Sequence, residues 1–573
     1  MFKEHPRAVF AAAALWLLGI FLGVSFIRSA AATYDEPVHL ASGYSYWQEG
    51  RYRLNISDHP PLAEMLSAVP LLFMKPQLNR THPYWIQMRR YPFADDFLYN
   101  NSIPPGTLLN AGRTFSLIVL WTALAVMLFF WGMRLGGPAA GVASVGAGAF
   151  SPVLISNISL VTTDGLAAVL FFAAFFILSV RPLTRVRFAA GGICTGLALA
   201  SKFSMIVLPA FILGLLLLEH GFLARPEARE GIVKKKGKKK KKEAERALPR
   251  FDWPGLGIAI VCAFAALAVV YRFGQLDLFF SGLRSTLSRL GGGRSSFLYG
   301  EYSLTGFALY FPIALLIKTP LPILGLGMAT ALAWGRRLQR DRLWVLLPAI
   351  AYFAVALTAK VQIGVRHLLP MIPLLALVAG CGVGALWSAG GKARGFAVML
   401  ALWTTISVGR NFPYQLAYFN EIAGGTSGGH HWLADSNLDW GQGLKGLADV
   451  LARKGNPPIY LSYFGVADPS AYGISYVSVI PNWNVKRWGD DVDPSASKRL
   501  YFAISATNLQ AVYIRDRTTF YWLKRRRPIE TIGGSIFLYD LTEDKEGRAA
   551  LARILTMSGH PRSPSLVGPL LLQ

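Results

Sequence analysis

The sequence predicts a polytopic α-helical membrane protein that carries a small α/β domain at its C-terminal end. Three observations lead there. Of 573 residues, 53% are hydrophobic and only 16% charged, whereas about a quarter of a soluble domain is charged. Apolar runs follow one another from Ala8 to Val408, and alternate connections between them are rich in Lys and Arg. Beyond Asn411 that texture stops, and short β-type runs join a helix-type stretch.

The net charge of +26 does not point to nucleic acid. Much of it sits in "KKKGKKKKK", Lys234 to Lys242, a block of the kind that is solvated and drawn to anionic lipid. Cys194, Cys262 and Cys381 all lie in apolar runs, so no disulfide framework is expected.

A helix needs about 20 apolar residues to span a bilayer, and basic loops stay in the cytoplasm. Ala8–Ile27 follows a short basic start and goes out. "SAAA" at Ser29–Ala32 has the look of a cleavage site, but the apolar core exceeds the roughly 7–15 residues of a signal peptide, so a retained anchor is expected. Residues 28–113 form the first extracytoplasmic loop. Thr114–Met133 returns to Arg134, Pro138–Ile158 goes out, and Gly165–Val180 returns to Arg181, Arg185 and Arg187. Phe188–Leu218 is too long for one ordinary pass and short for two. A single pass would put the polylysine block outside, so two short passes turning at "ALASKFS" are expected, with Lys202 on the outer side.

Residues 220–253 then form a cytoplasmic polybasic loop. Pro254–Tyr271 goes out, the run ending at Trp334 returns to "GRRLQRDR", Leu343–Ala359 goes out, His367–Trp387 returns to Lys392 and Arg394, and Phe396–Val408 goes out. About eleven spans result, within residues 1–410. Residues 411–573 fall outside as an α/β domain, with a helix in "GLKGLADVLARKG" and strands in "PIYLSYFG", "RLYFAIS" and "SIFLYDL".

This topology collects ionisable residues at the outer boundary: Asp35, Glu36, His39, His59, Arg113, Asp164, Lys202, Lys318, Arg366 and His367. Charges at membrane depth are costly and face a cavity or a partner. Acids beside cations suit a reaction in which a hydroxyl or amine is deprotonated while a phosphate departs. Each residue also has a structural reading. Thr33-Tyr-Asp-Glu36 followed by Pro37 fits a capping box, which explains Glu36 and leaves Asp35 unexplained. Asp164 in "VTTDGLAAVL" reads as a helix cap, and Lys202, Lys318 and Arg366 as snorkelling anchors. His39 and His59 read as loop histidines, with His59 stiffened by the prolines of "DHPP".

In the outer domain, "DSNLDWGQG" begins like a calcium loop at Asp435, Asn437 and Asp439, but the sixth position is Trp440 and the twelfth is Gly446, which excludes an EF-hand. It reads as a turn before the next helix, with Asp435, Asp439 and Trp440 as the alternative lining of an acceptor surface.

"YDEPVHLASGYSYWQEGRYRLNISDHPPLAEML" resembles the first luminal loop of protein O-mannosyltransferases. "SLVTTDGLAAVLFF", "GLALASKFS", "YFPIALLIKTPLP" and "GVRHLLPMIPLLAL" are similar to motifs across glycosyltransferase family 39, which includes bacterial aminoarabinose transferases. The resemblance covers most of residues 1–410. It implies a GT-C fold, a polyprenyl-phosphate-linked sugar donor and an inverting transfer outside the cytoplasm, without a catalytic metal or other cofactor. It places the catalytic base on Asp35, with Glu36 and Asp164 as further acids. It places donor-phosphate contacts on Arg113, Lys202, Lys318 and Arg366. Arg272 to Ser303 is too short for the β-trefoil insert of the eukaryotic mannosyltransferases, which favours an enzyme of a bacterial inner membrane. The acceptor is a protein, a lipid or a glycan. Two other classes stay open from sequence: a transporter for lipid-linked sugars, and a non-catalytic membrane scaffold.

Overall fold

The computed structural model describes residues 4–223 and 251–572; the polylysine block Lys234–Lys242 lies outside the described residues. The chain is an integral membrane protein. The helices Pro6–Ser29, Pro105–Ala149 and Trp253–Val270, with the stretches Phe203–Gly221 and Val365–Ala389, are long and apolar enough to cross a bilayer. Two bent pairs, Pro152–Ile158 with Thr163–Ser179 and Tyr310–Lys318 with Leu321–Arg336, pass the same test together. Arg185–Leu199, Arg340–Leu357 and Gly391–Gly409 are helical as expected but fall short of that test on length, hydropathy or charge. Phe10, Ile260, Val261 and Phe264 point outward from these helices, as lipid-facing side chains do.

Small residues let the helices touch. The helix Pro105–Ala149 holds the expected pass Thr114–Met133 and the first part of the expected pass Pro138–Ile158, whose remainder is the separate short helix Pro152–Ile158, and it breaks at Gly137, where φ is 79° and Pro138 follows. Only glycine takes that backbone without strain. Gly192 and Gly196, one turn apart, face the carbonyls of Ala259 and Ala263 so closely that a Cβ at either would overlap them. This is the small-xxx-small solution for packing in lipid. The expected turn between Phe188 and Leu218 is present: Arg185–Leu199 stops, residues 200–202 break, and helix resumes from Phe203.

The two bent pairs break at residues 159–162 and 319–320. Broken helices expose backbone polar groups that lipid cannot satisfy; at the first break Val161 N donates to Glu36 Oε1 at 3.0 Å, and residues 411–443 cover the second break and the approach to Val365. Asn420 donates from its side chain to Leu316 O at 2.6 Å and Thr319 O at 2.8 Å, and Val365 N donates to Asn437 Oδ1 at 2.9 Å.

A hairpin of β1 (Ser296–Leu298) and β2 (Glu301–Ser303) stands in the loop 272–309. The C-terminal sheet has β3 (Ile459–Ser462), β4 (Tyr476–Ser478), β5 (Tyr501–Ser505), β6 (Glu530–Ile532) and β7 (Ile536–Asp540), in the order β4-β3-β5-β7-β6. β3 runs parallel to β4 and β5, and β7 antiparallel to β5 and β6. The sequence reading found β3, β5 and β7 and missed the two short edge strands. The β6–β7 connection, residues 533–535, turns at Gly533 and Gly534, with φ of 53° and 71°, left-handed values that favour glycine.

Candidate active site

The acid pair of the first loop sits where the extended segment after Pro6–Ser29 turns into the helix Glu36–Glu49. The segment is stitched to the C-terminal part of the chain: Ala31 N donates to Gln442 O at 2.9 Å and Tyr34 N to Trp440 O at 2.8 Å. Pro37 in the first turn starts the helix. Asp35 occupies the cap position and makes no side-chain cap bond, so its carboxylate is not committed to the helix.

Glu36 has the opposite fate. It is fully buried. Its Oε2 accepts from Thr33 N and Thr33 Oγ1, both at 2.9 Å, and its Oε1 accepts from Arg113 Nε at 2.8 Å and Val161 N at 3.0 Å. Burial alone would push its carboxyl up, but the Arg113 guanidinium and the N–H groups of Thr33 and Val161 outweigh it and hold the group below the usual carboxylate range. Arg113 is fully buried too and also donates to Ala30 O at 3.0 Å and Ala31 O at 2.8 Å. The structure therefore corrects two expectations. Thr33 is not the cap residue of a capping box, because the helix starts at Glu36. Arg113 and Glu36 form an enclosed strut behind Asp35, out of reach of a donor or acceptor.

Asp35 faces a cavity of about 360 Å³. Tyr34, Arg90 and Tyr91 line it from the first loop, Arg294 and Ser295 from the segment before β1, and Ile363 and Arg366 from the helix Val365–Met371 and its approach. Asp435, Trp440, Phe464, Trp483, Asn484 and Tyr513 line it from the C-terminal region. Tyr91 OH donates to Asp35 Oδ1 at 3.2 Å. Arg366 is held from several sides: NH1 is 3.3 Å from Asp164 Oδ2, NH2 is 3.8 Å from Asp35 Oδ2, and Nε donates to Ser436 Oγ at 3.1 Å. Its guanidinium also lies 4.2 Å from the centre of the Trp440 ring.

Asp164 opens the helix Thr163–Ser179 just past the bend and is buried, with Lys202 and Arg366 on its carboxylate. Both of its oxygens are taken by cations, so it holds Arg366 and Lys202 in place and is not positioned to take a proton. Lys202 is half-buried on Asp164 and does not line the cavity. Lys318 is a further correction. Its ammonium is buried, donates to Leu416 O at 2.9 Å and to Asn437 O, and lies over the Phe419 ring. It clasps the segment 411–440 to the bent helix and cannot reach a phosphate in the cavity.

The histidines also stand apart from the cavity. His39 Nδ1 is 2.8 Å from Glu64 Oε1, and its ring is 5.0 Å from that of His59. Burial works against charge on both rings. Glu64 outweighs it at His39 and raises that group, while burial wins at His59 and lowers it. His367 packs near Phe311, with ring centres 6.3 Å apart.

The structure adds residues the sequence reading did not single out: Arg90, Arg294, Tyr91 and Tyr513. Arg90 pairs with Asp58. Arg294 lies 5.1 Å from the centre of the Tyr513 ring and, among the described residues, makes no ion pair. Asp435 accepts from Tyr513 OH and, at 2.6 Å, from Ser436 N. Burial pushes its carboxyl up, against Arg294. Asp439 turns away from the cavity and accepts from Thr507 N at 2.8 Å. Among the described residues no group of three or more His, Cys, Asp or Glu is arranged to hold a metal ion.

Neither a protein-family model nor a curated protein matches the chain. Among solved structures it is similar to ArnT from Cupriavidus metallidurans bound to undecaprenyl phosphate, at 13% identity over 94% of this chain and 98% of that one, with a TM-score of 0.46. It is also similar to the Archaeoglobus fulgidus oligosaccharyltransferase AglB in complex with an inhibitory peptide and a dolichol-phosphate, at 11% identity over 88% of this chain and 70% of that one, with a TM-score of 0.43. Both likenesses are distant in sequence and in backbone geometry.

Proposed function

We propose that this chain is a membrane glycosyltransferase of GT-C type that moves a sugar from a polyprenyl-phosphate donor to an acceptor on the extracytoplasmic face of a bacterial inner membrane. One observation carries the reading: a half-exposed carboxylate without a structural task, Asp35, shares a small polar cavity with Arg366 and Arg294. The order of the family-39-like motifs along residues 1–410 supports it.

The donor's polyprenyl tail lies against the apolar helices, with its phosphate at Arg366 and Arg294. Asp35 takes the proton of the acceptor hydroxyl or amine, and the acceptor atom attacks the anomeric carbon. The bond from that carbon to the phosphate oxygen breaks, and its electron pair leaves with the polyprenyl phosphate. The two guanidiniums stabilise the charge that gathers there. A single displacement inverts the anomeric centre. Asp164 holds Arg366 and Lys202 in place, and Tyr91 orients Asp35. No step needs a metal or a cofactor.

The test is turnover by the purified full chain in lipid nanodiscs, with a panel of polyprenyl-phosphate sugars, read as release of polyprenyl phosphate. Turnover of at least one donor that disappears in Asp35→Asn is expected. No turnover and no binding of polyprenyl phosphate would overturn the reading.

A further inference from the structure

The cavity is lined by charges and rings together. The first loop and the helix Val365–Met371 supply Asp35, Arg90 and Arg366 with the rings of Tyr34 and Tyr91. The C-terminal region supplies Asp435, Asn484 and most of the rings. Phe464 stacks on Tyr513 with centres 5.5 Å apart and an interplanar angle of 13°. Trp483 meets Tyr513 edge-on at 5.6 Å, and Tyr34 lies 5.3 Å from Phe464 and 6.1 Å from Trp483. Trp483 nonetheless stays 57% exposed.

An exposed indole alone means little. Here the loop that carries it is fixed to the residue before Asp35. Asn482 Oδ1 accepts from Asn484 N at 2.8 Å and Val485 N at 3.3 Å, a turn held by its own side chain. Asn484 Nδ2 then donates to Tyr34 OH at 2.8 Å. Asn484 lines the cavity, and among the described residues its Oδ1 accepts no hydrogen bond. The result is a rigid flat ring, an uncommitted amide oxygen and a carboxylate at one mouth.

That is the chemistry of a pyranose site. The C–H face of the sugar covers an indole, a planar amide oxygen takes a ring hydroxyl, and a neighbouring hydroxyl meets the base. Arg366, at the start of the apolar stretch Val365–Ala389, is where a lipid-borne phosphate would sit, and the exposed ring of Trp483 is where an acceptor would enter. We infer that the acceptor is a saccharide whose ring stacks on Trp483 and whose attacking hydroxyl points to Asp35. The acceptor role rests on the proposed transfer; the saccharide site itself does not.

The experiment is saturation-transfer NMR on the full chain in nanodiscs with a panel of methyl glycosides and short oligosaccharides, alongside binding of polyprenyl phosphate. Expected are enhancements on the ring C–H groups of at least one saccharide, an affinity lower by about tenfold in Trp483→Ala, partial retention in Trp483→Phe, and unchanged polyprenyl phosphate binding in both. Saccharide binding that ignores Trp483, no binding by any of the panel, or Trp483-dependent binding of Ser/Thr peptides in place of sugars would overturn the inference. Trp483-dependent saccharide binding without transfer from any donor would sustain the site and count against the transferase reading alone.

Discussion

Arg366 stands 3.8 Å from Asp35, so the proposed proton acceptor and the proposed phosphate ligand share one wall of one cavity. Their closeness has a consequence. Arg366 makes its shorter contact with Asp164, at 3.3 Å, and so leaves Asp35 the longer one. Asp35→Asn preserves size and the Tyr91 contact but removes the base. It is expected to bind polyprenyl phosphate normally and to lose transfer by roughly two to four orders of magnitude. Single-turnover transfer at saturating donor checks this, and near-normal transfer would exclude Asp35 as the base.

The cations separate by what already holds them. Arg294 makes no direct ion pair among the described residues, although Asp435 and Asp35 line the same cavity, so a phosphate entering there would find its guanidinium uncommitted. Arg294→Gln is expected to weaken polyprenyl phosphate binding by about 10- to 100-fold. Lys318→Met should act differently. It leaves the carbonyls of Leu416 and Asn437 without their donor and is expected to cost about 2–4 kcal/mol of stability. Donor affinity of the folded fraction should be unchanged. A weaker donor affinity in Lys318→Met at wild-type stability would reverse these assignments.

Glu36 and Asp35 are neighbours with unlike tasks, and the buried Glu36–Arg113 pair allows a clean contrast. Glu36→Gln leaves Arg113 charged and uncompensated inside the protein, which typically costs about 3–5 kcal/mol. The expected result is a lower midpoint in denaturant unfolding of Glu36→Gln, with Asp35→Asn near the wild type. Equal stability of the two variants would show that Glu36 is not the strut.

The helical framework was legible because lipid leaves few choices: apolar runs of spanning length, basic connections and glycines at close crossings dictate it. Asp35 was legible because it was the one acid of its motif without a structural explanation. Arg113 and Lys318 misled because a cation near a helix end looks the same in sequence whether it serves a ligand, a buried carboxylate or two carbonyls. Arg294 and Tyr513 were hidden for the opposite reason. They reach the cavity through loop packing between segments more than two hundred residues apart in sequence, and no local periodicity encodes that. Asp435 and Trp440 carried a faint signal, in acids spaced like a calcium loop that lacks its glycine. Asp439, from the same motif, turned inward instead.

That inward turn gives Asp439 a measurable signature. Burial pushes its carboxyl up to about 7, against the hydrogen bonds from Thr507, whereas an unfolded Asp titrates near 3.9. Between about pH 4 and pH 7 the folded chain therefore keeps a proton that the unfolded chain has released. By linkage, stability falls as pH rises through that window, and the contribution is lost above the folded value. Asp439→Asn mimics the protonated carboxyl at every pH and should remove this part of the slope. Relative to the wild type, the variant is expected to gain on the order of 2–4 kcal/mol between pH 4 and pH 8. Denaturant unfolding of both proteins at those two pH values, followed by tryptophan fluorescence, measures the difference. The same pH dependence in wild type and variant would show that Asp439 is ionised in the folded chain and balanced by a partner other than Thr507.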